Sequence, residues 1–86
     1  MQTIYKFFSK WKEELICQCA DGTFTLDYDM GSPTVYLPAK NKWATVAPDW
    51  AFEHWDVIYA QLTDWCSQNN IVLAIDLYAE HTLAKE

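Results

Sequence analysis

The sequence predicts a two-layer α+β domain, in which a mainly antiparallel sheet carries one long helix across its apolar face. Three features predict it. Asp21-Gly22 stands between two runs of alternating polarity, and residues 49–68 repeat apolar side chains at steps of three and four. Ile71-Val72-Leu73-Ala74-Ile75 is a continuous apolar run that supplies a C-terminal strand. With 86 residues, 51% of them hydrophobic and 21% charged, the chain is expected to fold as a single globular domain spanning 1–86.

The first twelve residues fit two periods. Ile4, Phe8, Trp11 and Leu15 lie at helical spacing, while Tyr5, Phe7 and Trp11 alternate with Lys6, Phe8, Lys10 and Lys12 as in a strand. Two adjacent phenylalanines share one broad helical face, and Thr3 is a capping residue, so the balance favours a short N-terminal helix. The hairpin that follows is better defined. Asp-Gly is the preferred chemistry of a two-residue turn, because both central positions need positive φ. Pairing outward from it sets Cys19 opposite Phe24, Cys17 opposite Leu26, Leu15 opposite Tyr28 and Glu14 opposite Asp29. Those apolar residues form one face. Glu14, Ile16, Gln18, Ala20, Thr23, Thr25, Asp27 and Asp29 form a wet, acidic one. A slip of one residue would expose the apolar set.

Beyond the turn residues Met30-Gly31-Ser32-Pro33, Thr34–Leu37 reads as a third strand ended by Pro38. Ala39–Lys42 reads as a polar connection and Trp43–Val46 as a short fourth strand. The result is a meander of three to four strands. Pro48-Asp49 starts the long helix, and Asp49, Glu53 and Asp56 lie near its N-terminus, where the macrodipole favours negative charge. Its apolar stripe is Phe52, Trp55, Ile58, Tyr59, Leu62, Trp65 and Cys66, and Asn69-Asn70 ends it. The run Ile71–Ile75 is the pattern of a central strand covered on both faces. If Trp43–Val46 is in the same sheet, the connection between the two is a right-handed crossover. Residues 76–86 read as a frayed or short helical end.

Charge and chemistry narrow the function. Twelve acids face six lysines, giving a net charge of −6, and there is no arginine. Direct nucleic-acid binding, which needs clustered cations, is not expected. Lysines and acids balance in residues 1–42, whereas Lys85 is the only cation in residues 43–86 against seven acids. That half can present an acidic surface to a basic partner. Cys17, Cys19 and Cys66 cannot all pair, and no apolar run is long enough for a membrane or signal segment. A cytoplasmic address is therefore expected. Gly22 and Gly31 do not form a phosphate loop.

The three cysteines, His54 and His81 fall in no metal-ligand spacing, so no metal or cofactor is expected. Along its own helix His54 has no cysteine or serine within one turn, and Cys66 is roughly 18 Å further along by helical rise. No catalytic residue emerges. The remaining feature is aromatic excess: five Trp, five Tyr and four Phe are many rings for one thin core. The expected function is a non-catalytic protein-binding module, of the inhibitor, immunity or regulatory-subunit kind. It would dock through Trp43, Asp49, Trp50, Glu53, Asp56 and Asp64, with a homodimer left open. The alternative is a small-molecule or metal-binding domain using the Cys17/Cys19/Cys66 side or the Asp27/Asp29 patch, with an enzyme as a third reading.

Overall fold

The computed structural model describes residues 3–9, 13–78 and 84–85. The expected α+β architecture is present, with a mixed, mostly antiparallel sheet packed on a long helical segment. In chain order the elements are β1 (Lys6–Ser9), β2 (Glu14–Cys19), β3 (Gly22–Asp29), β4 (Thr34–Pro38), α1 (Lys40–Val46), a 3-10 segment (Asp49–His54), α2 (Trp55–Gln68), β5 (Val72–Asp76) and β6 (Ala84–Lys85). The sheet runs β1-β2-β3-β4-β5, with β6 also pairing with β3. All pairs are antiparallel except β4 and β5.

The hairpin faces are as expected, but the register differs. Cys19 pairs with Gly22, Cys17 with Phe24, Leu15 with Leu26 and Glu14 with Asp27. The two-residue turn is therefore Ala20-Asp21, and Gly22 opens β3 instead of closing the turn. Strand side chains alternate with period two, so an offset of two residues leaves every side chain on its expected face. Leu15, Cys17, Phe24 and Leu26 are all buried toward the helix. On the outer face the expectation of a wet surface fails at one place: Ile16 and Thr25, which are paired, are both buried.

The N-terminal residues form strand, not helix. Tyr5 and Phe7 point inward and stack with ring centroids 6.0 Å apart, while Ile4 and Phe8 are exposed. Thr3 caps nothing; its carbonyl accepts 2.7 Å from Gln61 Nε2, and the Tyr5 amide donates to Gln61 Oε1 at 2.7 Å. One side-chain amide thus satisfies backbone groups on both sides of Ile4 and ties this segment to α2. Trp11, which figured in both readings, lies outside the described residues, as does His81.

Trp43–Val46 is likewise helix instead of strand, continuing from Lys40. Four residues cannot specify a period, and here tertiary contacts decide it. Trp43 is the one buried residue of α1. Its indole Nε1 donates to the Ala51 carbonyl at 2.7 Å, and its ring meets Phe24 edge-on at 5.5 Å. The crossover therefore leaves from β4, which pairs in parallel with β5 from Thr34↔Val72 to Pro38↔Asp76. β5 is not central. It ends the order of strands, with Val72 61% exposed. The tail is not helical where it is described, since Ala84–Lys85 pairs with Phe24–Thr25.

The long helix begins as 3-10 from Asp49 and turns α-helical at Trp55. Asn70 ends it with φ 56°, the left-handed conformation that asparagine tolerates. Of the expected stripe, Ile58, Leu62 and Cys66 are buried, Trp55 and Trp65 half-buried, and Phe52 and Tyr59 exposed. Tyr59 instead stacks on Trp55, centroids 5.1 Å apart and rings nearly coplanar at 6°.

Cys17 and Cys66 are thiols of this core, and all three cysteines are free. Burial pushes the Cys66 thiol up to about 11 and holds Cys17 well above the ordinary thiol range, with each thiol's charge disfavoured inside an apolar layer. The sign follows. Unfolded thiols ionise from about pH 9 while the folded ones keep their protons, so the stability they contribute is complete below that pH and is lost as the pH rises through 11. Each thiol adds a slope of at most about 1.4 kcal/mol per pH unit. Urea midpoints are expected to fall above pH 9, less steeply in Cys66→Ala, and a flat profile to pH 10.5 would contradict the buried thiols.

Candidate functional site

Among the described residues, two places collect side chains capable of function. The first is the outward face of the helical segment. Asp49, Glu53, Asp56 and Asp64 are all exposed there, as the sequence predicts. The tryptophans assigned to that face are not. Trp43 is 1% exposed and belongs to the core, because its indole N–H finds its partner only inside, at Ala51. Trp50 is half-buried against Phe24, with centroids 6.1 Å apart. The aromatics that do reach solvent beside the acids are Phe52 and Tyr59, each 42% exposed. Composition signalled surplus rings without saying which ones are surplus.

Lys40 is the cation of this face. Its Nζ lies 3.0 and 2.9 Å from the two Asp56 carboxylate oxygens and 5.9 Å from the Trp55 ring centre. Both partners are well exposed, so water screens the pair and it contributes little to stability. A shallow groove lined by Lys40, Ala44, Phe52, Glu53 and Asp56 runs between α1 and the start of the long helix.

The second place joins the hairpin tip to the 3-10 segment. Cys19 ends β2 on the apolar face, Asp21 sits in the turn and His54 closes the 3-10 segment above them. The Cys19 sulfur, an Asp21 carboxylate oxygen and a His54 ring nitrogen all lie within 4.8 Å of one another. Tyr5 holds the histidine, its hydroxyl 2.9 Å from Nδ1. The His54 ring is also met edge-on by Tyr5 at 6.1 Å and by Trp50 at 6.0 Å. The Tyr5 phenol is raised far above its ordinary range, first by burial and then by the neighbouring Cys19, Cys17 and Asp21, so it stays a neutral hydroxyl.

Comparison with protein-family models, curated proteins and solved structures finds no match. The chemistry of the cluster is therefore read from its own atoms. Sulfur, imidazole nitrogen and carboxylate oxygen are the donors that first-row divalent metals take. In a nucleophile–histidine–carboxylate relay the third group holds the histidine through the nitrogen facing away from the nucleophile. Here the group at Nδ1 is the Tyr5 hydroxyl, 2.9 Å away.

The alternative sites read from the sequence divide. Cys17 and Cys66 are buried packing residues, and among the described residues only Cys19 joins a group of potential ligands. Asp29 is occupied in shaping the β3–β4 turn, since its Oδ1 accepts from the amides of Gly31 at 2.9 Å and Ser32 at 3.3 Å. Glu14 lies opposite Asp27, two residues from its expected place. Along its own segment His54 meets Trp50 and no nucleophile or carboxylate, the neighbourhood read from the sequence. The partner arrives from the hairpin, a juxtaposition that spacing along the chain does not carry.

Proposed function

We propose that the chain is a non-catalytic interaction domain whose acidic helical face receives a basic protein partner. The carrying observation is the exposure of Asp49, Glu53, Asp56 and Asp64 together with Phe52 and Tyr59 on one continuous segment. Charge there steers and orients the encounter, while the rings supply desolvated contact once it forms. With Trp43 inside, the anchor role falls to Phe52 and Tyr59. The overall charge of −6 favours the same class of partner. Three free cysteines support a reducing compartment such as the cytoplasm. Among the described residues no helix is long and apolar enough to cross a membrane.

The test is affinity capture from a cell lysate, followed by titration of the purified partner against wild type and an Asp49→Lys, Glu53→Lys, Asp64→Lys variant. The partner is expected to be basic. Its affinity is expected to fall at least about tenfold in the variant, and to fall for wild type as salt is raised. A partner indifferent to both charge reversal and salt would remove this face from consideration, as would recovery of no basic partner.

A further inference from the structure

We infer that Cys19, Asp21 and His54 form a binding site for a divalent zinc-like cation, with an exchangeable solvent molecule as fourth ligand. Zinc is held at about 2.3 Å by sulfur and about 2.0–2.2 Å by nitrogen or carboxylate oxygen. A tetrahedron of those lengths separates its ligand atoms by about 3.3–3.8 Å. The three atoms already lie within 4.8 Å of one another, so roughly an ångström of side-chain movement closes the shell. Asp21 supplies that movement most readily, being exposed in a two-residue turn.

The other two ligands are held in place. His54 stands between the Tyr5 and Trp50 rings and is fixed through Nδ1 by the Tyr5 hydroxyl. The hydroxyl and the two flanking rings restrain the imidazole, and outer contacts of this kind are the usual support for a metal-bound histidine. Cys19 is half-buried at the end of a paired strand, so its sulfur direction is set by the sheet. Three protein ligands with one side open to water is the arrangement of sites that keep an exchangeable position. The site is separate from the acidic face, and either can fail without the other.

Cobalt(II) is the probe, because a thiolate ligand gives it a sulfur-to-metal charge-transfer band that exposed carboxylates cannot produce. Titration of the reduced, apo protein is expected to saturate at one equivalent with that band, and zinc is expected to displace it. Cys19→Ser is expected to abolish the band, and His54→Gln and Asp21→Asn to weaken binding, the histidine change by at least about a hundredfold. Tyr5→Phe, which removes the hydroxyl beside His54 and Cys19 but no ligand, is expected to weaken it about tenfold and keep the band. Circular dichroism checks the fold of each variant. If Cys19→Ser does not fold, Asp21→Asn in the exposed turn carries the test. Absence of the band in wild type, or zinc affinity unchanged in Asp21→Asn and His54→Gln, overturns the site.

Discussion

Trp43→Ala is expected to cost about 3–5 kcal/mol of folding stability, the range for emptying a core aromatic site. A chain of this length has on the order of 4–13 kcal/mol in total, so the substitution removes a large share of it. Three losses coincide. The ring leaves a cavity between α1 and the sheet, the edge-on contact with Phe24 disappears, and the Ala51 carbonyl loses its 2.7 Å donor. Trp43→Phe separates them, since it keeps an aromatic ring but no N–H. Its cost is expected to be about 0.5–1.5 kcal/mol, the net worth of the one buried hydrogen bond that is lost. Urea denaturation of the two variants checks both figures. A loss under 1 kcal/mol in the alanine variant would mean that the site collapses around the gap and that Trp43 does not hold the layers together.

Gly22→Ala is expected to cost about 2 kcal/mol, although Gly22 lies outside the hydrophobic core. A Cβ there would come within 2.7 Å of Trp50 Cζ2 and 2.8 Å of Cε2, and φ is +157°, where side chains are rarely found. The glycine is therefore needed for the close approach of an indole. In the hairpin as expected from Asp-Gly, it would have been needed for the turn. The two explanations differ in outcome. If the indole is responsible, Trp50→Ala relieves part of the cost, and a double-mutant cycle gives a coupling of about 1 kcal/mol. If the two substitutions simply add, the contact is not the reason.

Legibility in the sequence followed the range of the interactions. The hairpin faces and the helix from Asp49 to Gln68 could be read because period two and period 3.6 are local and repeat several times. The turn position could not, because Asp21-Gly22 and Ala20-Asp21 preserve the same faces. In the observed register Gly22 lies under Trp50, a residue far along the chain. β1 and α1 were misread for a related reason. Each is short enough to fit two periods, and each is decided by a distant partner: Gln61 for the first, Ala51 for the second. On the acidic face, aspartates and glutamates were correctly outside because charge alone keeps them there. Trp43 was not, because an indole can lie inside where its N–H finds an acceptor, and Trp50 is half-buried because its ring packs on Phe24 and over Gly22. Cys19, Asp21 and His54 come together only when the 3-10 segment crosses the hairpin tip, and nothing in their spacing signals that meeting.

The parallel pairing of β4 with β5 sets the order in which parts of the domain depend on one another. β1 to β4 follow one another through short connections, so their ladders close over little chain. β5 reaches β4 only after everything from Ala39 to Ile71 has been laid down, and the entropy of closing that long excursion is recovered only when α2 is docked. β5 and the helix before it therefore stand or fall together, each holding the other's place against the sheet.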